Sequence, residues 1–453
     1  MKNFIILLIF LLSLNIAKAQ EIIGDWYGNL NVQGTELPLI FHIQKTNSTY
    51  ISKMDSPKQG GFDIKVDKTE YNNSTLKMTI SALGVKYEGS YDKNREKIKG
   101  TFQQGGKSQP LNLLREKIIK KVNRPQEPKK PYPYSSENVT FFNKKDSINL
   151  AGTLTLPKNT KNFSTVILIS GSGPQDRNSE IMDHKPFLII SDYLTRNGIA
   201  VLRYDDRGVG ESQGEYFKAT SKDLSTDTEA AIKYLKSRKD ISKNRIGLVG
   251  HSEGGLIAPM VATNSNDVSF IILLAGPGLK GEQILLLQKK LIEQRSGIDE
   301  VTINKSQEIF KGAYEIISTS KGNNEELRSK LKGYFDEKFN NSMEDKQLNS
   351  LIESISSPWI KYFMKYDPSS TLKKLNIPVL ALFGMNDLQV PSVENSKALE
   401  DLENKNIEVM QLENLNHLFQ ESKTGMPDEY SEIEQTISPK VLDIISKWII
   451  EHN

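Results

Sequence analysis

The 453-residue sequence contains no cysteine. That excludes disulfide bridges, a lipidated N-terminal cysteine, a thiol nucleophile and a thiolate metal site, so stability has to come from core burial. Histidine is scarce, at five residues: His42, His184, His251, His417 and His452. A His-rich metal cluster is therefore not expected, and neither a metal nor any other cofactor is predicted. An excess of charge of one sign is also missing. Lys+Arg 59 against Asp+Glu 56 leaves a formal charge of +3, far short of what counterion-release binding to nucleic acid requires. With 37% hydrophobic residues and only 18 prolines, the chain has the material for a sizeable core and little low-complexity bias.

The longest apolar run is at the start. Lys2 is followed by Phe4 to Ile16, interrupted by Ser13 and Asn15, and then by Ala17-Lys18-Ala19. A positive start, a run of about thirteen apolar residues and a small-x-small site read as a cleavable export signal over 1–19, because a spanning helix needs roughly 20. No later segment approaches that length, so the expected protein is exported, periplasmic or secreted, without stable membrane insertion.

Residues 20–116 alternate apolar and polar in short stretches, from Trp26–Asn31 and Leu37–Gln44 to Lys97–Phe102 and Gln109–Leu113. Turn-prone pairs such as Gln33-Gly34, Asn47-Ser48, Gly60-Gly61 and Gly105-Gly106 separate them. Period-two alternation at this spacing predicts eight antiparallel strands in a small barrel or sandwich. Gly24-Asp25-Trp26-Tyr27-Gly28 resembles the first strand of lipocalin-like barrels. The interior reads as self-packed, with one bound apolar ligand as the alternative. Residues 117–137 carry six Lys/Arg and four prolines and read as a solvated, semi-rigid linker.

From 138 to 453 strands alternate with helical patterns, the sequence form of an α/β sheet. Thr165–Ser170, Ile199–Tyr204, Ile246–Gly250, Phe270–Leu274 and Val379–Phe383 are continuous apolar runs, as strands covered on both faces should be. A stretch rich in Glu, Lys, Gln and Leu, within 279–370, is proline-free up to Ser357 and has no strand signal; it predicts a helical cap inserted between two strands.

Gly250-His251-Ser252-Glu253-Gly254 fits GxSxG, and it lies directly between an apolar strand and an apolar helix. A serine exposed on so tight a strand-to-helix turn needs residues without side chains two positions to either side. Ser252 is thus the candidate nucleophile, and the Glu253 amide at the helix start is a candidate oxyanion donor. Elimination among the histidines selects His417 as general base, since the other four fall beside the serine, before it, in the barrel or on the tail. Asp387, just after the strand Val379–Phe383, is the candidate acid, with Asp367 as substitute. The order Ser, Asp, His is that of α/β-hydrolases.

These segments, together with Ser170-Gly171-Ser172-Gly173-Pro174-Gln175-Asp176-Arg177, Tyr204-Asp205-Asp206-Arg207-Gly208-Val209-Gly210-Glu211-Ser212 and Ser357-Pro358-Trp359, resemble the α/β-hydrolase superfamily. Within it the resemblance is to secreted bacterial serine carboxylesterases with an N-terminal β domain. It implies a second oxyanion donor at the Ser172 amide, Gly173 being the alternative, although Ser170 stands where many hydrolases have histidine. Asp206 and Arg207 read as a buried pair that fixes a loop, and the Glu253 side chain as structural. Trp359, Phe363 and Tyr366 either line an acyl pocket or pack in the core. The implied activity is hydrolysis of a small-molecule or glycan-linked ester through an acyl-enzyme. A prolyl-oligopeptidase-type peptidase is the enzymatic alternative, and lipid or glycan binding by the barrel is the non-enzymatic one.

Overall fold

The computed structural model describes residues 22–452 apart from 33–34, 48, 57–60, 105, 117–122, 159–160 and 341–342. The predicted export signal, the turn at Gln33-Gly34, parts of three other turns and the first residues of the linker lie outside the described residues. The chain divides into two compact units, Met1–Lys121 and Val122–Asn453.

The first unit is a closed barrel. Strands β1 (Gly24–Val32), β2 (Thr35–Thr46), β3 (Thr49–Ser56), β4 (Gly61–Asn72), β5 (Thr75–Ile80), β6 (Val85–Asp92), β7 (Lys97–Gln104) and β9 (Leu113–Leu114) form an antiparallel ring, and β8 (Lys107–Pro110) pairs with β7 alone. The predicted single strand Gln109–Leu113 is in fact broken. Pro110 has no N–H to continue the ladder, and the buried Leu111 donates instead to Gly100 O at 2.8 Å. Alternation sends Leu39, Phe41 and Ile43 of β2, and Leu76, Met78 and Ile80 of β5, into the interior. Gly89 and Gly100 face each other across β6 and β7 because the Tyr87 ring lies over both; an added Cβ would fall 2.6 and 2.3 Å from its hydroxyl. Trp26, fully buried, donates from Nε1 to Ile22 O at 2.8 Å and carries the Arg115 guanidinium 4.0 Å above its ring.

The second unit opens with a segment bound to its own loops. Arg124 donates to the carbonyls of Met182, Asp183, Ser431 and Ile433, and Gln126 makes three hydrogen bonds to Thr436 and Ile437. Arg124 is therefore not the solvated linker cation expected from composition. A guanidinium presents five donors in a fixed fork, and here the fork gathers two loops.

The sheet that follows has the order β10-β11-β13-β12-β14-β15-β16-β17. β10 (Ser135–Asn143) and β11 (Ile148–Leu156) are antiparallel, while β12 (Thr165–Ile169), β13 (Ala200–Tyr204), β14 (Ile246–His251), β15 (Phe270–Leu274), β16 (Val379–Gly384) and β17 (Ile407–Leu412) run parallel. The five strands predicted as continuous apolar runs are buried along almost their whole length. Helices α1 (Pro186–Arg196), α2 (Ser221–Ser237), α3 (Gly254–Ala262), α10 (Ser392–Glu400) and α11 (Pro439–Glu451) cover this sheet. Between β15 and β16 come α4 (Gly281–Arg295), α5 (Glu300–Thr319), α6 (Asn324–Lys338), α7 (Asp345–Ile355), α8 (Pro358–Lys365) and the short α9 (Ser369–Leu372). Most of this insertion packs around a core of its own, built on Ala313, Leu331, Phe335, Ile352 and Met364. This is an α/β-hydrolase sheet with a helical insertion, preceded by an all-β barrel.

Candidate active site

Three loops leave the carboxyl ends of parallel strands and meet. The sharpest follows β14. Ser252 has φ +53°, a left-handed conformation that a residue with a side chain adopts only when its surroundings impose it. Both flanking glycines are sterically required: an added Cβ at Gly250 would lie 2.1 Å from Gly254 O, and one at Gly254 would lie 2.2 Å from Ile169 O. The turn is pinned by Ser252 N donating to Leu274 O at 2.9 Å and Gly255 N donating to Ser252 O at 2.8 Å. Glu253 then opens α3, and its amide belongs to the start of a helix, where there is no preceding turn of carbonyls to accept.

Asp387 and His417 come together from the next two loops. His417 Nδ1 lies 2.7 Å from Asp387 Oδ2, and the other carboxylate oxygen accepts from the amides of Gln389 and Val390 at 2.7 and 2.9 Å. The residues are only 3% and 5% exposed, so the pair is shielded from solvent, where electrostatic attraction is stronger. The bond engages Nδ1 and so leaves Nε2 as the ring nitrogen for a further partner. Asn416 ties the loop into a tight turn, accepting from the amides of Leu418 and Gln420. Asp367, the substitute acid, instead accepts from the Ser369 amide at 2.9 Å.

His251 contributes more than its position beside the nucleophile suggested. Its Nε2 donates to His417 O at 2.9 Å, and the two rings lie 4.8 Å apart. Burial, aided by His417, pulls His251 down to about 4, so it is neutral at physiological pH. Because a carbonyl can only accept, the proton is on Nε2. His251 thus joins the serine loop to the histidine loop. Among the described residues no hydrogen bond yet joins Ser252 to His417; such contacts often tighten only when substrate arrives.

The loop after β12 supplies Gly171, where an added Cβ would lie 3.2 Å from Ser252 Cβ, and next to it the exposed Ser172. Asp205 and Asp206 hold this loop. Asp205 Oδ2 accepts from Arg177 Nη2 at 2.6 Å; Asp206 accepts from Ser170 Oγ at 2.6 Å and from the Gln175 amide at 2.9 Å. Arg207 turns the other way, to Asp227 and Asp146, both at 2.8 Å. Asp206 and Arg207 are therefore buried but are not each other's partners: each is engaged by residues of other segments. Burial pushes the Asp206 carboxyl up to about 7; hydrogen bonds from Ser170 and Gln175 offset part of the rise, and Glu253 and Asp227 add to it.

Of the predicted aromatic residues, Trp359 reaches the elbow. Its Nε1 donates to Glu253 Oε1 at 2.7 Å. Phe363 stacks behind it at 5.0 Å, while Tyr366 stacks on Tyr362 and bonds Thr371 through its hydroxyl. Ser221 Oγ also meets Glu253 Oε1, at 2.5 Å. The roles of His251, Asp205 and Ser221 were not read from the sequence, where no local pattern distinguishes them from ordinary turn and helix residues.

Several known proteins resemble this chain. The chain is 29% identical to the esterase EstD of Thermotoga maritima over 320 residues, which is 68% of each chain. It is 30% identical over 130 residues to the uncharacterised YfhR of Salmonella typhi, covering 28% of this chain and 40% of that one. A solved esterase from Pyrococcus furiosus aligns at 17% identity and a TM-score of 0.43, over 73% of this chain and 97% of its own. The profile of the family described as serine aminopeptidase, S33, matches residues 186–422. That match takes in just over half of the 453 residues, and the chain belongs to this family of α/β hydrolases.

Proposed function

We propose that the protein is a carboxylic ester hydrolase that works through an acyl-enzyme. The observation carrying this reading is the buried Asp387–His417 pair at 2.7 Å, joined through His251 to the strained Ser252 turn. Ser252 Oγ attacks the ester carbonyl as His417 Nε2 takes its proton, and Asp387 stabilises the resulting imidazolium. The amides of Glu253 and Ser172 receive the negative charge on the carbonyl oxygen. Protonated His417 then releases the alcohol, and a water molecule repeats the attack on the acyl-enzyme. The 29% identity to a protein named as an esterase, EstD, supports ester over amide chemistry. The barrel, with Trp26, Phe41 and Tyr87 fully buried inside it, is read as a packed structural module.

A second reading is hydrolysis of an amide at a peptide amino terminus, favoured by the description of the matched family as serine aminopeptidases. Both are tested by turnover of p-nitrophenyl esters from acetate to decanoate beside aminoacyl p-nitroanilides, with Ser252→Ala as control. The ester reading expects ester turnover to fall by about 10⁴-fold or more in the variant. Turnover of anilides alone would transfer the assignment to the peptidase, and full ester turnover in the variant would remove Ser252 from the mechanism.

A further inference from the structure

The side chain of Glu253 is an anomaly in a site otherwise explained. It belongs to the residue after Ser252, it is 2% exposed, and the influences on its carboxyl are burial, which pushes it up, and hydrogen bonds from Ser221 and Trp359, which oppose the rise. No cation is among them. Burying a carboxyl without a counter-charge is costly, and an apolar side chain here would fill the space without that cost. Both of its hydrogen bonds fall on one oxygen. Oε2 has no partner among the described residues. A group kept for stability alone is normally satisfied on all sides.

What the carboxyl does is join two elements at one point. Ser221 is the first residue of α2 and Trp359 lies in the first turn of α8, whose N-terminus is set by Ser357 accepting from the Ile360 amide. Trp359 also packs against both the core around the sheet and the separate core of the insertion. Apolar contact between those layers is non-directional and lets an indole slide or rotate. A 2.7 Å bond from Nε1 to a carboxyl oxygen does not. Phe363, one turn later and tilted only 19° from the indole plane, follows Trp359 wherever it is held.

We propose that the Glu253 carboxyl is a specificity-determining anchor, fixing the Trp359–Phe363 pair as the acyl-side wall next to Ser252, so that the length of acyl chain accepted is set through the Glu253–Trp359 bond. This inference rests on the acyl-enzyme reading above and deepens it. Glu253 acts through Trp359 and is a positioning residue; it takes no part in proton transfer.

The test uses the full chain in four forms: unaltered, Trp359→Phe, Glu253→Met and Glu253→Gln. The phenylalanine keeps an aromatic ring but loses the N–H, the methionine loses the acceptor, and the glutamine keeps an acceptor oxygen. For each, kcat and KM are measured on p-nitrophenyl esters from acetate to decanoate, and Ser252 labelling rates on alkyl fluorophosphonates of increasing chain length. Expected is a change of about tenfold or more in the ratio of kcat/KM between long and short acyl chains for Trp359→Phe and Glu253→Met. It should arise mainly in KM, with Glu253→Gln restoring the original profile. A merely structural role would lower all chain lengths together. Profiles of Trp359→Phe and Glu253→Met that superimpose on the parent's, in esters and phosphonates alike, would overturn the anchor. If the parent turns over no ester yet its Ser252 is labelled, the ester reading fails and the phosphonate profile alone decides the anchor. If Ser252 is not labelled at all, both fail.

Discussion

The two units bury very different things. Among its described residues the barrel encloses apolar side chains and, of polar ones, only Ser52, Ser56 and Thr69; its Asp25–His42–Asp55 cluster lies on the outer surface. The hydrolase unit takes Asp205, Asp206, Arg207, Asp227, Glu253, Asp387 and His417 out of water. Burying charge is unfavourable unless it is compensated, so a unit that repeatedly buries charged groups and gives most of them partners is organised around chemistry. A fold that avoids it is organised around packing. The contrast locates function before any motif is consulted.

Perturbing the buried charges and the barrel surface should therefore have unequal effects. The largest is expected at Asp387→Asn, where the imidazole loses the partner that fixes its tautomer. Ester turnover should fall by about 10³- to 10⁴-fold with the fold retained, as read by kinetics beside circular dichroism; a loss below tenfold would mean that Asp387 is not the orienting acid. Asp227→Ala comes next. It leaves Arg207 buried with a half-exposed partner, Asp146, and should cost about 3–5 kcal/mol in denaturant unfolding of the hydrolase unit.

A subtler effect concerns Asp206. Its carboxyl is held at about 7 against an ordinary 3.8, so the folded state binds the proton more tightly than the unfolded chain does. Its contribution to stability is full below about pH 4 and declines as the pH rises to about 7. In Asp206→Asn that part of the slope should vanish, as measured by unfolding at a series of pH values; an unchanged slope would place the titration elsewhere. The smallest effect belongs to the barrel. Burial lowers His42, but hydrogen bonds and attraction from Asp25 and Asp55 outweigh it and leave the ring raised above 6.5. This contribution is present below about pH 6.5 and disappears as the pH rises past the raised value. For so exposed a group it should amount to a few tenths of a kcal/mol, with His42→Gln leaving hydrolysis unchanged. A large effect of His42→Gln on turnover would break the division of labour between the units.

The sheet and the elbow were legible because their signals are local. Continuous apolar runs mark strands covered on both faces, and the spacing of Gly250, Ser252 and Gly254 states a steric requirement that the close approach to Ile169 O and Gly254 O repeats in coordinates. Asp387 and His417 could be chosen because few residues competed for each place. What stayed hidden depends on contacts across long sequence separations. Ser221, Glu253 and Trp359 meet from three elements, and no periodicity encodes that meeting. The partners of Asp206 and Arg207 were hidden for the same reason: Ser170 and Gln175 hold the one, Asp146 and Asp227 the other, all at least twenty residues away in sequence. The break after Pro110 was missed because apolar alternation continues through it.

The clasp made by Arg124 and Gln126 bears on where the hydrolase begins as a separable piece. Its first strand starts at Ser135, yet the carbonyls of Met182, Asp183, Ser431 and Ile433 and the amides of Thr436 and Ile437 find partners upstream of it, at positions 124 and 126. Anyone excising or grafting this catalytic module has to cut ahead of residue 123. A module trimmed to its sheet would carry away the enzyme but leave behind its fastening.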